Sequence, residues 1–114
     1  MSLFKSKGLI NMSTNKSNAL RALEKRTGGP VTLGAFIAAV RLGEAMTQPD
    51  FAEKLGISKS HLNDIEKGRK AVRPERAARF ATALGYSEVR LVKLALQDLV
   101  TRGGLRFQVE VRAA

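Results

Sequence analysis

The 114 residues suit one domain, and their 44% hydrophobic content, carried by Leu, Val, Ile and Ala with five Phe, one Tyr and no Trp, suits close helix packing. The absence of cysteine excludes disulfides and thiolate metal sites and fits the cytoplasm, while a single histidine, His61, argues against a transition-metal site, so no cofactor is implied. Twenty basic against ten acidic residues give a net charge of +10, which favours a polyanionic partner, and no apolar run reaches the roughly 18–20 residues of a membrane helix.

Residues 1–16 read as a mobile tail without a secretory apolar region, and Met12 offers a second start. The stretch SNALRALEKRTGGP reads as a short helix, capped by Ser17 and stopped by Gly28-Gly29-Pro30. Only Leu20 and Leu23 share its face, so it docks weakly by itself. Residues 1–31 thus form a basic N-terminal extension. Its Lys5, Lys7, Lys16, Arg21, Lys25 and Arg26 face Glu24 alone, and either stay solvated or follow a groove or a partner.

A domain over 32–102 follows. Thr32 caps a helix to about Leu42, whose Leu33, Phe36, Ile37 and Val40 form a stripe, with Gly34, Ala35, Ala38 and Ala39 allowing close approach. In MTQPDFAEKLG, Thr47 is the N-cap, Pro49 suits the first turn, Asp50 suits the helix dipole and Gly56 closes the helix. Ser58 caps the next helix, which carries only Leu62 and Ile65 as apolar residues and ends at Gly68. Pro74 and Glu75 open PERAARFATALG, with Ala77, Phe80, Ala81 and Leu84 inward and Gly85 as the stop. Ser87 opens the longest helix, to about Arg102. Its broad apolar face is Val89, Val92, Ala95, Leu96, Leu99 and Val100, and Leu91 and Leu94 fall outside that face. The second apolar set suggests a two-fold dimer contact.

Residues 103–114 change period. In LRFQVEV, Leu105, Phe107, Val109 and Val111 alternate with polar residues, the pattern of a half-buried strand. A lone strand leaves backbone groups unpaired. Pairing antiparallel with its own symmetry mate about Gln108 would set Arg106 opposite Glu110 and Phe107 opposite Val109, both favourable.

Residues 47–68 read together as helix, short turn and helix. The turn is Gly56-Ile57-Ser58, and Gly56 can take positive φ at the corner. At 100° per residue, Leu62 and Ile65 inward leave Ser60, Asn63, Asp64 and Lys67 outward, with Lys59 and His61 on the flanks. Lys can donate to guanine, Asn can bond adenine bidentately and Asp can accept from cytosine. Just beyond, between 66 and 79, six basic residues stand against two acidic ones. A hydrolase built on His61 has little support, because Ser58 is better explained as a cap and no segment forms a pocket. The sequence therefore points to no enzyme.

The run from Thr47 to Gly85, with Thr47-Gln48, Phe51-Ala52, Leu55-Gly56-Ile57-Ser58, Leu62, Ile65-Glu66, Gly68-Arg69, Pro74 and Leu84-Gly85, resembles the Cro/phage-repressor-like (XRE) helix-turn-helix family. The resemblance implies an all-α, lambda-repressor-like bundle of about five helices that binds double-stranded operator DNA, commonly as a homodimer. It also implies base reading by Lys59, Ser60, His61, Asn63 and Asp64. Backbone contacts would come from Thr47, Gln48, Lys67, Arg69, Lys70 and Arg73. The family usually has a small cap before Pro74, where this chain has Arg73. A C-terminal β-strand that completes a dimer through Leu91, Leu94, Leu105, Phe107, Val109 and Val111 is similar to the HipB-like antitoxin repressors, and implies a cognate toxin as a further partner. A free-standing or phage-type repressor, and a nonspecific nucleoid or RNA-binding protein, are the alternatives.

Overall fold

The computed structural model describes residues 31–114. The expected tail, the helix capped by Ser17 and the basic groups up to Arg26 lie outside the described residues. Five helices follow in order: α1 (Leu33–Gly43), α2 (Gln48–Leu55), α3 (Lys59–Glu66), α4 (Pro74–Leu84) and α5 (Glu88–Arg102). Among the described residues, no helix is long and apolar enough to cross a membrane.

The ends lie where the caps put them. A helix start leaves its first N–H groups without partners, and a hydroxyl one step outside can accept one of them. Thr32 accepts from the Ala35 N–H, Thr47 from Asp50, Ser58 from His61 and Ser87 from Arg90. Arg73 makes no such bond, yet α4 still begins at Pro74. The proline ring pre-sets φ and carries no N–H that needs a cap. Gly56 and Gly85 end α2 and α4 at φ 74°, in the left-handed region that glycine enters at least cost.

Leu33, Phe36, Ile37, Phe51, Leu62, Ile65, Phe80 and Leu91 make the centre of the core, each at most 2% exposed. Gly34 sets the distance between α1 and α3. A Cβ there would overlap the Ile65 carbonyl oxygen and press on its carbon at 3.1 Å. The last helix is tied to the first as well: the Asp98 carboxylate accepts the Leu33 N–H at 3.1 Å.

Two expectations are corrected. The core face of α5 lies one step away from the face expected. Leu91 and Ala95 are buried, whereas Leu99 is 45% exposed. Leu91 belongs to the chain's own core and is not open to a dimer partner, and Leu94 is half-buried. The reason is that α5 carries apolar side chains nearly all round, so period alone does not fix its rotation. Val92 and Leu96 are half-buried, and Leu99 is the apolar residue of α5 left exposed.

The expected C-terminal strand is not formed either, and no strand occurs among the described residues. A ladder needs a neighbouring strand, and none is present there to pair with it. Gln97 of α5 supplies a single peptide-like partner instead. Its Nε2 donates to the Phe107 carbonyl at 2.9 Å, and its Oε1 accepts the Val109 N–H at 2.8 Å. Leu105 and Phe107 stay 53% and 67% exposed, with Val109 and Val111 half-buried.

Candidate nucleic-acid interface

The corner between α2 and α3 is built by backbone geometry. Gly56 turns in the left-handed region, and the Ile57 N–H reaches back to the Ala52 carbonyl at 3.0 Å. Ala52 and Phe51 are buried beneath it, and Leu62 and Ile65 anchor α3 at 0% and 1% exposure. With that side fixed, the helix has one orientation. Lys59, Ser60 and Lys67 are exposed, and His61, Asn63 and Asp64 are half-buried.

An ion pair braces α3 from behind. Arg41 of α1 grips Glu66 with two bonds, Nε to Oε2 at 2.8 Å and a terminal nitrogen to Oε1 at 3.1 Å, and donates from its other terminal nitrogen to the Met46 carbonyl at 3.0 Å. The side chains are only 15% and 7% exposed. The bond to Glu66 raises the Arg41 pKa above its ordinary value against the opposing effect of burial. Gln48, at the start of α2, donates to Glu66 Oε1 at 3.1 Å and to Asn63 Oδ1 at 3.2 Å. Beside the backbone contact that the family resemblance implies for it, Gln48 thus braces α3 through these bonds. Thr47 is exposed and caps α2.

The loop after α3 folds back on Asp64. The Asp64 backbone carbonyl accepts the Arg69 N–H at 2.8 Å, and its carboxylate takes the Arg69 guanidinium at 3.3 Å. Asp64 thus orients Arg69. Lys67, Arg69, Lys70 and Arg73 all lie exposed along this loop. Arg73 lies 3.5 Å from Glu75 in a largely exposed pair.

His61 turns toward α4. Arg76 lies 3.2 Å from His61 Nδ1. A guanidinium has no acceptor, so Nδ1 must accept and the neutral ring keeps its proton on Nε2. Burial lowers the His61 pKa first, and the charges of Arg76 and Lys70 lower it further, against a smaller opposing pull from Asp64.

Sequence reading brought Gln48, Lys59, Ser60, His61, Asn63, Asp64 and the basic loop to one region. It missed Arg41, Glu66 and Arg76. A charged residue inside an apolar stripe was the available signal at Arg41, but its partner lies 25 positions away. Residues 32–94, more than half of the chain, match a protein family described as a helix-turn-helix domain. No curated protein and no solved structure matches the chain.

Proposed function

Because the chain belongs to this helix-turn-helix domain family, we propose that it is a sequence-specific DNA-binding transcriptional repressor in the bacterial cytoplasm, without enzymatic activity. One observation carries the reading. Helix α3 is anchored by two buried apolar residues and turns a polar surface outward, beside a loop with four exposed cations. Such a helix suits the major groove, and the cations suit phosphate. Lys59 and Ser60 read bases, with Asn63 beside them, while His61 and Asp64 act partly through Arg76 and Arg69. Lys67, Arg69, Lys70 and Arg73 hold the backbone, and Thr47 and Gln48 bring the start of α2 near it.

The repressor acts as a homodimer on a palindromic operator. Leu99, Leu105 and Phe107 are exposed apolar side chains near the end of the chain, and Gln97 already holds the 107–109 backbone in place. A second copy of the segment, paired antiparallel about Gln108, would cover them and supply the missing ladder. As the antitoxin of a type II toxin–antitoxin module, the chain also binds a cognate toxin. That part rests on the sequence alone, on the alternating pattern of residues 105–111 and its resemblance to the C-terminal segment of HipB-like repressors.

Footprinting tests the DNA reading. Lys59→Ala/Ser60→Ala, with its fold intact, should lose the protected operator; an unchanged footprint refutes the assignment. Equal affinity for random duplex would instead favour nonspecific nucleoid or RNA binding. For the antitoxin role, the product of a neighbouring gene should arrest growth alone and be neutralised by this chain. A harmless neighbour would leave a free-standing or phage-type repressor.

A further inference from the structure

The amide of Asn63 ends a line of hydrogen bonds whose direction is set by charge. The line begins at Arg41, which can only donate, so both Glu66 oxygens it grips are acceptors. Glu66 Oε1 also lies 3.1 Å from the Gln48 amide. A carboxylate oxygen needs a donor there, so this atom of Gln48 is the nitrogen. The second hydrogen on that nitrogen serves the contact to Asn63 at 3.2 Å. Two donors do not face each other, so Asn63 must turn its oxygen inward. Its Nδ2, with two hydrogens, is then the end it offers away from Gln48.

We propose that this relay makes Asn63 a hydrogen-bond donor at the DNA surface, selecting guanine or thymine at one position of each half-site. Guanine offers O6 and N7 in the major groove and thymine offers O4, all acceptors. Cytosine presents its amino group there and is rejected. A bidentate bond to adenine needs the Asn63 oxygen turned outward, and with that oxygen held toward Gln48 adenine offers the donor only N7 beside a competing amino group, a poorer match than the two acceptors of guanine. Gln48 is accordingly a positioning residue for specificity. Both its amide hydrogens are used inside the protein, so its side chain is not a phosphate donor in this arrangement. The inference rests on the reading of the chain as a sequence-specific DNA-binding protein.

Selection from a random duplex library with the full chain, followed by sequencing, tests it in three variants. The unaltered protein should return a consensus with guanine or thymine at the position governed by residue 63. Asn63→Asp exchanges the donor for an acceptor and should move that position to cytosine or adenine. Gln48→Met frees the amide to turn and should flatten the preference there by about tenfold while the other positions hold. Far-ultraviolet circular dichroism confirms that each variant is folded, and the two substitutions act on the same position independently. If Gln48→Met weakens all sequences by one factor and keeps the consensus, the relay is refuted and Gln48 is only a brace. An adenine at that position in the unaltered protein refutes it too. If the unaltered protein selects no sequence at all, the parent reading fails and takes the relay with it.

Discussion

His61 sits where a proton is unwelcome, between burial and the cations of Arg76 and Lys70. Folding therefore prefers the neutral ring. Above the ordinary histidine value near 6.5, folded and unfolded chains are both neutral and this contribution is fully present. As pH falls through that value toward the depressed folded one, the unfolded chain takes up a proton that the fold refuses, and stability is lost. His61→Gln should remove that loss, seen as a urea midpoint flatter between about pH 5 and 7 than that of the unaltered protein. Parallel curves for the two would count against it. Asp98 has the opposite sign: burial raises its pKa, more than the Leu33 N–H and Arg102 lower it. Its contribution is complete below the ordinary carboxylate value near 3.9 and lost as pH rises through the raised folded one. Asp98→Asn keeps an acceptor for Leu33 and should abolish that decline, leaving the protein at least as stable at neutral pH. A variant destabilised at pH 7 would show the charge to be net favourable. At this scale the sequence displays residue types but not pairs. His61 was legible as a flank residue, while Arg76, 15 positions on, was not legible as its partner.

Among the elements, the approach of α1 to α3 is the most exacting. An alanine normally favours a helix over glycine by about 1 kcal/mol. At Gly34 the new Cβ meets the Ile65 carbonyl, which is backbone and cannot swing aside. Gly34→Ala should therefore destabilise by about 1–3 kcal/mol, as overpacking does, and lower Tm by roughly 4–8 °C for each kcal/mol. A higher Tm would mean that the helices part without cost. Ser58→Ala removes the bond to the His61 N–H and should cost about 1 kcal/mol in urea unfolding. Helix starts were the most legible feature of the sequence, because each cap is local: Thr32, Thr47, Ser58 and Ser87 lie within three residues of the groups they bond. The rotation of α5 was not legible. Leu91, Val92, Leu94, Leu96 and Leu99 cover too much of its circumference for periodicity to choose a face, and packing against α4 and α1 chooses instead.

For the whole molecule, charge is the coarse design. Lys67, Arg69, Lys70 and Arg73 stand exposed beside a near-neutral helix-turn-helix. Each that meets a phosphate should contribute about 0.9 to the slope of log affinity against log salt, so Lys70→Ala should flatten that slope while preserving base preference. An altered consensus would move Lys70 among the reading residues. Removal of residues 105–114 should convert the proposed dimer to monomer by light scattering, and a shortened chain that stays a tight dimer would refute pairing through that segment. The alternating pattern of Leu105 to Val111 was legible, but the strand expected from it is not formed, because among the described residues its backbone meets the Gln97 side chain and the end of α5 and no neighbouring strand.

The bond from Leu33 to Asp98 joins positions 65 apart and so closes the five helices into a loop of contacts. A chain closed in this way has no natural place to come apart. Opening α5 strips the N-terminus of α1 of a partner, and opening α1 leaves a half-buried carboxylate without one. Amide hydrogens in the middle of both helices should consequently exchange at one common rate, as a single cooperative unit. Helix α3, packed between α1 and α2 within that loop, then keeps its shape until the whole domain unfolds.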